Sequence, residues 1–328
     1  MRHAIIVVGE TGIMSLTNSI EIAAQYIRNG MLVAFPTDTV YGLGANALNP
    51  TAVAKIFDLK ERPSFDPLII HIASLDSIYE LADGINNDVT TLIKHFWPGP
   101  LSIIMKKKAI VPDIVTAGLP TVGIRMPGND IALELIRQSG CPIAAPSANK
   151  FGKISPTSAS HVRKQLPGVD YILDGGSTEI GIESTIIALT NNGFIILRSG
   201  VITREQIEQF IPYDSIQVQK GIIAPGMLKS HYSPSKPMFI ADNKNALKID
   251  KSRAGLLSYS GAEEAGYKKV IRLTRNSDLR EYAVGLFAAM HALEDSDVEA
   301  IIAEPVPETG IGIAIMDRLR KAANSYEF

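Results

Sequence analysis

The chain has 328 residues, of which 46% are hydrophobic and 20% charged, the balance of a globular protein with room for two cores. A formal net charge of −2 and a pI near 6.3 exclude a globally basic nucleic-acid-binding chain, so contact with a polyanion has to be local. The single cysteine, Cys141, excludes an intrachain disulfide and a multi-cysteine metal cluster, and in Gly140-Cys141-Pro142 it reads as a small core residue.

The N-terminus lacks the order of a signal peptide and no apolar run reaches membrane-spanning length, so the expectation is a cytoplasmic protein with no membrane contact. Ile20, Ala23, Ala24 and Ile27 fall at helical spacing behind Thr17, read as the N-cap, and Asn29-Gly30 supplies the stop. The apolar run 32–35 is a buried strand. It delivers a polar loop, Pro36-Thr37-Asp38-Thr39-Val40-Tyr41-Gly42-Leu43-Gly44, to one edge of a sheet. Asn49-Pro50 is a cap followed by proline, which predicts a helix over 51–59 with Lys60 and Arg62 emerging at its C-terminal end.

A second apolar run, 67–72, contains His71, whose residue-level reading is a hydrogen-bonded core or edge group. A helix over 89–96 ends in the rigid turn Trp97-Pro98-Gly99-Pro100, and a strand follows over 101–105. Lys106-Lys107-Lys108 reads as a solvated strand end, with a phosphate-facing patch as the alternative. The strand 121–125 ends in Arg125; a helix over 131–138 and a strand over 142–145 then lead to Pro146-Ser147-Ala148-Asn149 and on to Thr157. That loop carries hydroxyls, an amide and two lysines, and suits either an anion cradle or a solvated connection before a helix at 158–165.

Short strands follow over 171–173, 183–189 and, after the turn Asn191-Asn192-Gly193, 194–197, with Arg198 at the exit and a capped helix over 203–211. Periodicity is lost over 212–237, which reads as an interdomain linker folding over a site. Beyond it, strands over 238–241, 255–258, 269–273 and 300–303 alternate with helices, the longest over 277–293. This predicts a first domain over 1–211, which the resemblance described below makes the catalytic one, the linker over 212–237 and a small open α/β domain over 238–328.

The chain has no Walker sequence, no complete Gly-x-Gly-x-x-Gly, no His-Glu-x-x-His and no Gly-x-Ser-x-Gly; Gly310-Ile311-Gly312 reads as a helix-entry turn. What remains is a set of cations and hydroxyls at strand ends. Three arginines and a lysine sharing a crevice would repel one another unless they faced an anion, which suggests transfer at a polyphosphate.

Five ordered segments resemble the YrdC-type threonylcarbamoyl-AMP synthases: Pro36 to Leu43; Lys60-x-Arg62-Pro63 with Pro67-Leu68 and His71; Trp97-Pro98-Gly99-Pro100-Leu101; Pro146-Ser147-Ala148-Asn149; and Glu183-Ser184-Thr185. Pro225-Gly226-Met227 and His231-Tyr232-Ser233-Pro234 resemble the linker of the two-domain form. The resemblance implies a twisted mixed sheet flanked by helices with a concave positive face, joined to a small Rossmann-like α/β domain. It implies a nucleotidyltransferase that condenses L-threonine, bicarbonate and ATP to L-threonylcarbamoyl-AMP with release of pyrophosphate. The product would feed a separate tRNA threonylcarbamoyl transferase machinery, tRNA contact being allowed but not required.

Carried over by position, the resemblance implies that Thr39, His71, Arg125, Ala145 and Ser184 surround threonine, His71 now as a ligand contact. It places Arg62, Asp66, Thr121, Ser147, Ser155, Arg198 and His231 along ATP, and assigns catalysis to Lys60, Arg62, Ser147 and Asn149. ATP is a substrate, Mg2+ is admitted beside it, and neither an organic cofactor nor a protein-held metal is expected. Asp66 stands where the family usually has Asn, a charge that calls for compensation by Mg2+ or Arg62, or for a side chain turned away. Ala224 replaces a usual Ser, and Ser199 a common Pro. The alternatives are a double-stranded RNA-binding protein using the same face, and carbamoyl transfer through carbamoyl-AMP as in hydrogenase maturation factors; the latter carry acylphosphatase and zinc segments for which this chain has no material.

Overall fold

The computed structural model describes residues 7–9, 12–14, 16–215, 225, 231–242 and 249–323. Ala224, Gly226, Met227 and most of the expected linker lie outside the described residues.

A hairpin, β1 (Val7–Gly9) with β2 (Gly12–Met14), precedes α1 (Leu16–Arg28). Thr17, read from sequence as the N-cap, lies inside the first turn of that helix, a shift within the usual uncertainty of helix ends. The chain continues through β3 (Val33–Phe35), β4 (Gly42–Asn46), α2 (Pro50–Lys60), β5 (Ile69–His71), α3 (Asp76–Leu81), β6 (Ala82–Asp83) and α4 (Asn87–Phe96). Next come β7 (Leu101–Lys107), α5 (Asp113–Thr116), β8 (Thr121–Arg125), α6 (Asp130–Ser139), β9 (Ile143–Ala144) and α7 (Ala159–Gln165). The first unit ends with β10 (Tyr171–Ile172), β11 (Thr185–Thr190), β12 (Gly193–Arg198) and α8 (Arg204–Ile207).

Caps set several boundaries. The Asn49 side chain accepts from the Thr51 and Ala52 amides at the start of α2, and Pro50 occupies the first helical position, where a missing N–H costs nothing. Asn129 and Ser158 do the same for α6 and α7.

The large sheet is mixed, in the order β10-β3-β4-β9-β5-β8-β7-β11-β12, with β6 pairing to β7. The end of the polar loop expected over 36–44 is strand from Gly42 on, its two glycines weakening the strand signal. The structure shows why they are there. A Cβ on Gly44 would lie 2.7 Å from Phe35 Cε1 and 2.8 Å from Ile143 Cγ2, so only glycine lets β3, β4 and β9 close on the Phe35 ring. The register of this sheet carries the chemistry: β5 runs parallel to β8 with His71 opposite Arg125, and β11 runs antiparallel to β12 with Ile186 opposite Arg198.

The second sheet contains β13 (Met238–Ile240), β14 (Ala254–Ser258), β15 (Lys269–Arg272) and β16 (Ala300–Ala303), all parallel, in the order β13-β16-β14-β15. Helices α9 (Leu279–Glu294) and α10 (Ile311–Ala323) pack on it, and α10 starts directly after Gly310, as the helix-entry reading of 310–312 expects. Parallel strands with crossover helices form an open α/β unit.

One apolar cluster joins the two sheets. Val40, Ile154 and Ile182 from the first unit pack with Tyr232, Tyr282, Ala283, Leu286 and Phe287. At Gly181, φ +80°, a Cβ would sit 2.4 Å from the Val284 carbonyl oxygen, so α9 lies against the loop that leads into β11. That contact places the C-terminal unit beside the site.

Candidate active site

Where β5 and β8 end together, the polar loop after β3, the loop after β9 and the β11–β12 pair enclose a pocket of about 600 Å³ including its mouth. Of the sequence-predicted residues, Thr39, Arg62, His71, Arg125, Ala145, Ser147, Ser184, Arg198 and His231 line it. One hollow therefore gathers side chains drawn from positions 39 to 231.

Arg125 is the most tightly held. Its Nε donates to the Gly99 carbonyl at 2.9 Å, its Nη1 to Thr39 Oγ1 at 2.9 Å, and its Nη2 to Asp38 Oδ1. The turn at 97–100, whose Trp97-Pro98 bond is cis, thus presents a carbonyl that fixes one edge of the guanidinium. His71 is buried beside it, with Nδ1 unpartnered. Burial and then the neighbouring Arg125 charge push its pKa down to about 3, so the ring is neutral at physiological pH.

Arg198 clamps the strand beside it, donating from Nε to the Ser184 carbonyl and from Nη2 to Ser184 Oγ, both at 3.1 Å. Ser184 Oγ also meets Ser102 Oγ at 2.9 Å. Arg62 donates to the carbonyls of Asp66 (3.0 Å) and Pro67 (2.9 Å), and its Nη2 lies 3.0 Å from Asp66 Oδ2. Burial pushes the Asp66 carboxyl up, and Arg62 opposes that rise. Of the compensations left open for Asp66, the structure supplies the Arg62 pair.

Lys60 is placed differently from the expectation of a cation in the crevice. Its ammonium, 1% exposed, turns into the wall and donates to the Ser147 carbonyl at 2.7 Å and to that of Asn149. Burial, followed by the charge of Arg62, lowers its pKa well below normal. Asn149 reaches the carbonyls of Lys150 and Lys153 at 2.8 Å, so these two signature residues shape the 147–153 loop. Ser155 donates to Glu183, and Thr121 sits at the opposite end of β8 from Arg125; neither lines the pocket, nor does Asp66.

Sequence reading also missed participants. Thr37, Gly42, Glu183 and Tyr232 line the pocket, and Asp38 braces Arg125 from behind. Two of the three pocket arginines thus have their own carboxylate, which lowers the mutual repulsion expected of them; among the described residues Arg198 has none. The carboxylates at or beside the pocket, Asp38, Asp66 and Glu183, are each ion-paired to an arginine. Elsewhere Lys107 pairs with Asp113, Lys108 with Asp83 and Lys150 with Glu61, which partly neutralises the lysines of the alternative phosphate-facing patch.

A family model described as telomere recombination matches residues 25–200, and another, described as the threonylcarbamoyl-AMP synthase C-terminal domain, matches 202–324. The threonylcarbamoyl-AMP synthase of Pyrococcus abyssi is 44% identical over 325 residues, 93% of this chain and 94% of its own length. The chain belongs to the threonylcarbamoyl-AMP synthase family. The Bacillus subtilis member is 44% identical over 330 residues, covering 94% of each chain. The crystal structure of P. abyssi Sua5 complexed with L-threonine matches with a TM-score of 0.82 at 43% identity, over 93% of this chain and 94% of that one. The chain is a nucleotidyltransferase-type enzyme in the two-domain form, matched over both its mixed sheet and the smaller parallel sheet by the P. abyssi structure. No helix among the described residues is long and apolar enough to cross a membrane.

Proposed function

We infer that the pocket joins L-threonine, bicarbonate and ATP into L-threonylcarbamoyl-AMP and pyrophosphate. The observation that carries this reading is the convergence of Arg62, Arg125 and Arg198 with Ser147 and Ser184 on one hollow, within a chain of this family. Threonine's neutral amine takes up CO2 derived from bicarbonate, water being lost. The resulting carboxylate attacks the α-phosphorus, and pyrophosphate leaves. Nucleophile and electrophile are both anions, so preorganised positive charge is the main catalytic demand.

Threonine is assigned to the half of the pocket that holds Thr39, His71, Arg125, Ala145 and Ser184. There the Asp38-braced Arg125 faces the amino-acid carboxylate and neutral His71 adds no competing charge. The phosphates are assigned to Arg198, which among the described residues has no carboxylate of its own, with Arg62 and Ser147. Lys60 acts through the wall, fixing the two carbonyls that shape the Ser147 turn. Mg2+ arrives as part of the nucleotide substrate. His231 and Tyr232, from the linker, wall the pocket and limit water that would hydrolyse an N-carboxylated amine. The mixed anhydride is an activated acyl group, handed to a tRNA-modifying transfer step.

The test is incubation with ATP, radiolabelled bicarbonate and each amino acid in turn. Label is expected in an AMP adduct with threonine; label without an amino acid, or with every amino acid alike, would overturn the reading.

A further inference from the structure

The buried Arg318 lies outside the substrate pocket, on α10 of the C-terminal unit, yet it is fully buried against the first unit. Its Nε donates to Glu183 Oε2 at 3.1 Å and its Nη1 to the Ser199 carbonyl at 2.5 Å, while its guanidinium carbon lies 5.6 Å from the centre of the Tyr232 ring. Glu183 leads into β11 and Ser199 leaves β12. One guanidinium therefore spans the mouth of the strand pair whose inner residues, Ser184 and Arg198, line the pocket and bond each other. The other oxygen of Glu183 accepts from Ser155 Oγ at 2.5 Å.

Glu183 is the carboxylate in a wall built to receive anions. Released, it would either repel an incoming triphosphate or capture Arg198, whose charge it already faces and which has no carboxylate partner among the described residues. Both outcomes weaken nucleotide binding. On the threonine side Arg125 is braced separately by Asp38, so that guanidinium keeps its carboxylate through this change.

We propose that Arg318 is a positioning residue for ATP: by holding Glu183 and the Ser199 carbonyl from the C-terminal unit, it keeps Arg198 free to bind the nucleotide's phosphates. The inference rests on the reading of the pocket as an ATP site, whose failure would show separately as no ATP-dependent pyrophosphate release by the unaltered chain.

The experiment is steady-state kinetics of the full-length chain in a two-by-two set: unaltered, Arg318→Met, Glu183→Gln and the double variant, with folding checked by thermal unfolding. Arg318→Met is expected to raise KM for ATP about tenfold, within the range of intersite couplings, and KM for threonine less than about twofold. The double variant is expected to recover most of the ATP affinity, because position 183 no longer carries a charge to capture Arg198. A merely structural loss would move both KM values and would not be relieved by the second substitution. Should Arg318→Met fail to fold, Glu183→Gln and the double variant decide. Equal KM for ATP in those two supports the proposal; a further tenfold rise on losing Arg318 overturns it, as would an unchanged KM for ATP in folded Arg318→Met.

Discussion

At the residue scale, the three pocket arginines differ in what they already hold. Arg125 is bound on three sides, Arg62 is paired with Asp66, and among the described residues the Arg198 guanidinium grips Ser184 and no carboxylate. A guanidinium without its own carboxylate has the most charge to offer an incoming phosphate. Arg198→Ala is therefore expected to lower kcat/KM by about two orders of magnitude, the loss typical of removing one preorganised donor, in a pyrophosphate-release assay. A change of less than fivefold would assign the phosphates elsewhere. Lys60 shows what spacing alone conveys and what it does not. Its position after a helix end was readable, whereas the direction of its side chain depends on carbonyls 87 and 89 residues away. The Asp38–Arg125 pair, also 87 residues apart, was hidden for the same reason.

Among the elements, β4 is the informative case, because its glycines were read as loop and serve a strand. Gly44→Ala has to displace the Phe35 ring or Ile143, and an overpacked core of this kind costs about 1–3 kcal/mol, measurable by denaturant unfolding. Wild-type stability would show that the two side chains move aside freely. Where α7 meets α9, His161 and His291 stack with ring centroids 3.9 Å apart, and His291 Nε2 lies 3.2 Å from the Ser155 carbonyl oxygen. Glu294, Asp295 and Lys164 surround them. Burial, then the facing His161, lowers the pKa of His291 to about 4. The folded state thus binds fewer protons than the unfolded one, so this contribution is complete above about pH 6.5 and is lost as pH falls toward 4. The slope is at most about 1.4 kcal/mol per pH unit for each such histidine. His291→Gln, which keeps a donor for Ser155, is expected to flatten the stability curve between pH 6.5 and 4 in denaturant titrations; an unaltered slope would show that His291 is already protonated when folded. Strands of the C-terminal unit were legible to within a residue or two because each is a short apolar run between turn signals.

Across the whole molecule, the site is completed from beyond the first unit: His231 and Tyr232 of the linker line it, and Arg318 of the second unit reaches it through Glu183. Sequence reading placed the second unit but gave it no task, since a lone arginine on an amphipathic helix is indistinguishable from a solvated one until the fold buries it. Val40, Ile154 and Ile182 belong to the shared apolar cluster, so a chain cut after residue 211 is expected to expose them and to aggregate or lose activity by at least about tenfold, as read by light scattering and turnover. Full activity in a monodisperse 1–211 fragment would make the second unit dispensable. The measurement that bears most directly on the chemistry is pyrophosphate release by the intact chain with each substrate withheld in turn. Release is expected only when ATP, bicarbonate and L-threonine are all present; equal release without threonine or bicarbonate would mean that the cationic hollow hydrolyses nucleotide and does not join two anions.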